Sequence, residues 1–125
     1  MDVTPMVAEG LQVISGYGDG GFSITNARYN HAVIVTAEAC QVWSVRDPMA
    51  FTLDDFEALW QLSPLPDVVL IGCGARGQMI APGLRTALRD KGLVCDAMDT
   101  GAACRTYNVL LSEGRRVAAA LLPVD

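Results

Sequence analysis

Beyond about residue 50 the chain alternates between two hydrophobic periods, and this alternation narrows its fold more than any other feature. Val68-Val69-Leu70-Ile71 and Val117-Ala118-Ala119-Ala120-Leu121-Leu122 are uninterrupted apolar runs of strand length. A strand with no polar side has to be covered on both faces. The segments around them carry helical spacing and helix-end chemistry. Thr52 predicts the cap of a short helix, with Asp55 three residues later and Phe56, Leu59 and Trp60 on one face; Pro64-Leu65-Pro66 stops it. Asp67 to Ile71 is then a buried strand ending in Gly72. A second helix is predicted from Pro82 to about Lys91, with proline in its first turn and Gly92 past its end. Val94 to Met98 reads as a strand. Thr100 predicts the cap of a third helix reaching about Glu113, with Ala103, Tyr107, Leu110 and Leu111 at helical spacing. Arg116 to Leu122 follows as a last buried strand.

The first 47 residues read as a β-meander. Leu11 to Ser15 and Phe22 to Thr25 flank the turn Gly18-Asp19-Gly20-Gly21. His31 to Thr36 and Cys40 to Val45 predict a hairpin around Glu38, rich in β-branched and aromatic side chains. Together these patterns predict an α/β fold, a three-layer single domain over residues 1–125. It has a central mixed β-sheet, flanking helices and an extra N-terminal β-hairpin layer. A chain of 125 residues, 51% of them apolar, is sufficient to fill one such core.

Charge removes whole classes of partner. Fourteen acidic and nine basic side chains leave a formal charge of −5, and Lys91 is the sole lysine. Such a surface is unsuited to neutralising phosphate backbones, so no nucleic-acid partner is expected. A polybasic membrane patch is missing too, and no apolar run approaches the ~20 residues of a membrane span, so direct membrane insertion is not expected. Met1 to Pro5 resembles neither a signal peptide nor a transit peptide, which makes a cytoplasmic location the expectation.

Cys40, Cys73, Cys95 and Cys104 lie 33, 22 and 9 residues apart, without zinc-knuckle spacing. They read as small buried hydrophobes. Cys104 stands out because it falls in the first turn of a predicted helix, where a thiol pKa can drop.

Gly72-Cys73-Gly74-Ala75-Arg76-Gly77 matches G-x-G-x-x-G at the end of a buried strand, with Asp96 and Asp99 about 20 residues on. A dinucleotide fold would start its helix in that loop. Pro82 would then sit inside the helix, at a cost of about 3 kcal/mol. Too little chain follows Gly77 for the remaining strands, so no cofactor is expected. A weaker version survives: if the strands ending at Gly72 and Met98 are parallel, their C-terminal ends share one sheet edge. Gly72, Gly74, Arg76, Asp99, Thr100 and Arg105 are the candidate ligand-binding residues there. The N-terminus of the third helix would favour an anion, and Gly101-Ala102-Ala103 would admit a ligand closely. In the alternative, Asp99 itself is the anion and Thr100 merely the cap. Tyr107 is expected in the core with its hydroxyl bonded. His31, at a strand start, reads as a hydrogen-bonded or surface histidine. No carboxylate pair, metal-ligand cluster or Ser/His/Asp set can be assembled, so no catalytic or metal residue is named and a non-enzymatic role is favoured.

Three segments carry a resemblance. They are Pro66 to Gly74, Met98-Asp99-Thr100-Gly101-Ala102-Ala103-Cys104-Arg105-Thr106-Tyr107-Asn108, and Glu113 to Leu122, joined by Gly16-Tyr17, Phe22, Arg28-Tyr29 and Trp43 near the N-terminus. The chain resembles a small uncharacterised α/β family whose eukaryotic member is the mitochondrial NADH dehydrogenase (complex I) assembly factor 3. The resemblance implies a three-layer fold, no established catalytic activity and action through protein partners in building a membrane complex. Two departures from the family are expected: Met1 to Pro5 does not read as a mitochondrial presequence, and Cys73 stands where the family usually has Thr or Ser. Eight arginines to one lysine, with abundant alanine, suggest a GC-rich bacterial source.

Three expectations follow from these readings. Action by protein contact requires an exposed apolar patch the fold does not need. A small-molecule or anion binder, or an enzyme, requires a cavity of a few hundred Å³ between the Gly72–Gly77 loop and the start of the third helix. A redox sensor requires an accessible, acidic thiol at Cys73 or Cys104.

Overall fold

The computed structural model describes residues 10–125. In chain order the strands are Ile14–Gly18 (β1), Gly21–Ile24 (β2), Ala27–Tyr29 (β3), Val33–Thr36 (β4), Cys40–Val42 (β5), Val68–Gly72 (β6), Cys95–Met98 (β7) and Val117–Leu121 (β8). The helices are Glu57–Trp60 (α1), entered through a 3₁₀ turn at Leu53–Phe56, then Pro82–Asp90 (α2) and Thr100–Ser112 (α3).

The two apolar runs, β6 and β8, lie side by side in parallel inside a five-stranded sheet of order β5-β4-β8-β6-β7. β7 joins β6 in parallel, whereas β4 and β5 are antiparallel additions on the other side, so the sheet is mixed. Strand alternation divides the buried residues into two cores. Val33, Val35, Leu70, Val117, Ala119 and Leu121 face one; Ile34, Val69, Ile71, Ala118 and Ala120 face the other. Trp43, Phe56, Leu59 and Leu88 cover the second face, where Trp43 stacks on Phe51 at 5.4 Å. Asp55 anchors that corner: its carboxylate accepts the Thr52 and Arg46 amides at 2.8 and 3.2 Å, and its carbonyl accepts Trp43 Nε1 at 2.7 Å.

The first face is covered by α3, and β1-β2-β3 form a separate three-stranded sheet on the far side of α3. Ile14, Phe22 and Ile24 pack there against Cys104, Tyr107 and Leu111. Asn108 fastens the two layers, its Oδ1 accepting the Ile14 amide at 3.2 Å and its Nδ2 donating to the Ile14 carbonyl at 2.7 Å. Tyr107 is buried as expected, and its hydroxyl donates to the Gln12 carbonyl at 2.8 Å.

The fold class, the mixed sheet and the extra β layer follow the sequence reading, with corrections in the first 47 residues. The meander divides: the hairpin around Glu38 joins the main sheet through β4 and β8, because β4 is buried on both faces. The extra layer is a three-stranded meander whose last member, β3, was not foreseen; Ala-Arg-Tyr is too short and too exposed to show a period. His31 precedes β4 rather than starting it, its Nδ1–H donating to the Ala32 carbonyl at 2.9 Å. Pro82 is the first residue of α2, which leaves the glycine segment as loop.

Candidate functional site

β6, β7 and β8 are mutually parallel through β6, so Gly72, Met98 and Leu121 end at one sheet edge. This is where ligand crevices form in α/β sheets. The loop after β6 is fixed there by backbone and hydroxyl bonds. Cys73 N–H donates to the Met98 carbonyl at 2.8 Å. Gly74, at φ +91°, donates its N–H to Thr100 Oγ1 at 3.0 Å, and its carbonyl accepts the Thr100 amide at 2.9 Å. Thr100 is fully buried and its hydroxyl donates a hydrogen bond to the Leu122 carbonyl at 2.7 Å. One side chain thus ties the glycine loop, α3 and the segment after β8.

Thr100 was expected as the cap of α3; the cap is Asp99. Its backbone is extended and its carboxylate accepts the Ala102 amide at 2.8 Å, while Thr100 is already helical. Gly72 serves close packing of strand on helix. A Cβ there would stand 2.8 Å from Leu121 Cδ2 and 3.1 Å from Thr100 Cα. Gly72→Ala is expected to lower unfolding free energy by about 1–3 kcal/mol, read from urea denaturation.

The space beside Gly101, expected to admit a ligand, is filled by the chain itself. A Cβ on Gly101 would lie 2.5 Å from Tyr17 Oη, which also accepts a hydrogen bond from Arg105 Nη1 at 3.0 Å. Next to this contact lies a shallow cavity of about 460 Å³ lined by Tyr17, Ala75, Asp99, Gly101 and residues 123–125. Of the six candidate residues only Asp99 lines it. Gly72, Gly74 and Thr100 form the bonded knot beside Asp99, Arg105 is held on Tyr17, and the exposed Arg76 side chain is not part of the lining. Tyr17 and residues 123–125 escaped the sequence reading because they arrive by tertiary folding alone: the Gly20 amide, in the small sheet's first turn, donates to the Val124 carbonyl at 2.8 Å. A larger cavity of about 700 Å³ opens at the opposite edge, between the β4–β5 turn, Leu62 to Pro66 and the end of α3; none of the candidate residues lines it.

The chemistry available is limited. Among the described residues no group of three or more His, Cys, Asp or Glu is placed to hold a metal. Burial pushes the Cys73 thiol up and the Cys104 thiol to about 12, against the partial opposition of Arg105 at the latter. The helix start therefore does not activate Cys104. Burial also raises Cys95 to about 11 and Tyr107 above its ordinary value. Each of these groups stays neutral to higher pH when folded than when unfolded, so their contribution is intact below about pH 9 and is lost as pH rises toward 12. The urea midpoint is expected to hold up to about pH 9 and then fall, less steeply in Cys104→Ala. Folded-state alkylation of Cys73 and Cys104 is expected to be slow at pH 8 and fast in denaturant; equal rates would contradict their burial.

A model of the family described as "Protein of unknown function (DUF498/DUF598)" matches residues 14–122. The chain belongs to the DUF498/DUF598 family. Within it, an uncharacterized protein of Rhodobacter capsulatus is 41% identical over 115 residues, covering 92% of this chain and 87% of its own. The human NADH dehydrogenase (ubiquinone) 1 alpha subcomplex assembly factor 3 is 32% identical over 110 residues, covering 88% of this chain. The match takes in 60% of the assembly factor, so this chain spans less than two thirds of that relative's length. Among solved structures, a Bartonella henselae protein described as an outer membrane protein superposes with a TM-score of 0.83 at 34% identity, covering 93% of this chain and 98% of its own. Among the described residues of this DUF498/DUF598 chain, no helix is long and apolar enough to cross a membrane.

Proposed function

We propose that this DUF498/DUF598 domain works by protein–protein contact, without catalysis, as a factor in assembling a larger complex. The observation that carries the reading is a pair of methionines at the C-terminal edge of the sheet. Met79 is 93% exposed and Met49 79% exposed. Their loops are tied together by the bond from Gln78 Nε2 to the Pro48 carbonyl at 2.7 Å. Large unbranched thioethers held in water contribute nothing to the core, and they suit adaptable contact with an apolar partner surface. The polar groups nearby are already engaged within the chain: Asp99 caps α3, Thr100 bridges two segments and Arg105 holds Tyr17. The similarity to an assembly factor supports the same reading. We place the domain in the cytoplasm, acting on protein and not on nucleic acid.

The test is quantitative co-purification from the native host. A stoichiometric protein partner is expected with the wild type and with Arg76→Ala/Asp99→Asn, and is expected to be lost from Met49→Asp/Met79→Asp. Deleting the gene should lower the amount of an assembled complex on native gels. A partner indifferent to both methionines would remove this surface from the proposal.

The cavity of about 460 Å³ favours a second reading, a binder of small molecules or anions using Asp99 and the neighbouring Arg76 loop. That reading requires a thermal shift with phosphate or small carboxylates that disappears in Arg76→Ala/Asp99→Asn.

A further inference from the structure

Met49 and Met79 are held in water by the backbone around them. Asp47-Pro48-Met49-Ala50 is a tight turn: the Asp47 carbonyl accepts the Ala50 amide at 3.0 Å, and its carboxylate accepts the Met49 amide at 2.9 Å. Aspartate and proline in the first two positions preorganise such a turn, so Met49 cannot fold back without breaking it. Met79 is fixed from both sides, by Gln78 bonded to the Pro48 carbonyl and by Ile80, which is buried in the second core. The exposure of the two side chains is therefore built into their loops. Met98 differs, since it is half-buried against the first core.

Exposure separates the chemistry of these thioethers from that of the thiols. A thioether attacks a peroxide through its sulfur lone pair and loses no proton first, so access to the sulfur sets the rate. A thiol must first become thiolate. Burial raises all four thiols above their ordinary range, Cys95 to about 11 and Cys104 to about 12. Among the described residues, the sulfurs open to a two-electron oxidant are those of Met49 and Met79. We propose that these two methionines are a paired, reversible oxidation site, through which hydrogen peroxide switches the apolar contact surface off. This rests on the reading of that surface as a protein contact. At each sulfur the lone pair forms an S–O bond and the O–O bond of the peroxide breaks. The leaving hydroxide takes the remaining proton and departs as water. Methionine sulfoxide reductase reverses the change, releasing the oxygen as water while a dithiol is oxidised to a disulfide. The sulfoxide is polar and keeps its own water, so an apolar partner no longer gains by covering it.

The test is peroxide treatment at about pH 6, where the thiols are protonated, followed by peptide mass spectrometry. Met49 and Met79 are expected to gain one oxygen each, about tenfold faster than Met98 or any cysteine. The melting temperature should not move, because neither side chain belongs to the core. The surface is then read twice, by retention on a phenyl resin and by retention of the co-purifying partner. Both should fall in the oxidised wild type, the partner by about tenfold, and return after treatment with methionine sulfoxide reductases A and B and dithiothreitol. Met49→Leu/Met79→Leu should keep both and be unmoved by peroxide, which also accounts for Met1 and Met6, outside the described residues. Met49→Gln/Met79→Gln should be low in both without peroxide. Oxygen gained by Met98 as fast as by Met79, or phenyl retention that shifts equally in the leucine variant, overturns the proposal. A partner held equally well by the oxidised protein overturns it too, and leaves the protein contact standing. If untreated wild type captures no partner, the protein-contact reading falls, and phenyl retention still decides the oxidation site.

Discussion

Replacing Asn108 with alanine is expected to remove about 2–5 kcal/mol of stability and to lower the melting temperature by on the order of 10–20 °C. The side chain is 4% exposed and forms both of its bonds with the backbone of Ile14. Truncation leaves a buried N–H and a buried C=O without partners, each costing about 1–3 kcal/mol, which is more than either bond contributes in net terms. Asn108→Asp separates the two halves of the interaction, because a carboxylate still accepts from the Ile14 amide but faces the Ile14 carbonyl with like charge. It should therefore destabilise as well. Hydrogen exchange gives the location: β1 amides should lose protection in Asn108→Ala before those of β8 do. A change below about 1 kcal/mol would mean that the small sheet is held on α3 by apolar packing alone.

The second large effect is expected at Thr100. Thr100→Val keeps the shape of the side chain and deletes the hydroxyl, orphaning the Leu122 carbonyl and the Gly74 amide. A loss of about 2–4 kcal/mol should appear in urea unfolding. Thr100→Ser keeps the hydroxyl and loses a methyl, which costs about 1 kcal/mol. The order Thr, Ser, Val is the signature of a structural bridge. A residue serving only a ligand would give near-wild-type stability in both variants, so Ser no more stable than Val would sink the bridging role.

Thr100 also shows what the sequence could and could not reveal. That a hydroxyl or carboxylate stands at the start of α3 is local information, visible as Asp99-Thr100 before a helical pattern. Which of the two caps the helix depends on the Leu122 carbonyl, 22 residues away, which claims the threonine hydroxyl. The doubly buried strands were legible for the same local reason, since β6 and β8 carry no polar side, and Pro82 correctly separated the glycine loop from α2. The partition of the N-terminal strands into two sheets was not legible. β4 also lacks a polar side over Val33-Ile34-Val35, but the hairpin's sequence does not name its neighbour, and only pairing with β8, more than 80 residues on, draws it into the main sheet. At the crevice, the glycines and Asp99 were found from spacing, whereas Tyr17 was not. Its place against Gly101 follows from the small sheet closing over α3, a contact spanning most of the chain.

The position of β8 has a consequence for how the protein is made. It follows the other four strands of its sheet in the chain, yet it lies between β4 and β6, which have no pairing with each other. While the ribosome is still translating residues before 117, the hairpin β4–β5 and the pair β6–β7 exist without the element that joins them. Until β8 clears the exit tunnel, the open edges of the apolar strands β4 and β6 have to be kept from each other and from other nascent chains. Folding is then set by closure of the long β4–β8 pairing, a contact of high sequence separation and correspondingly slow formation.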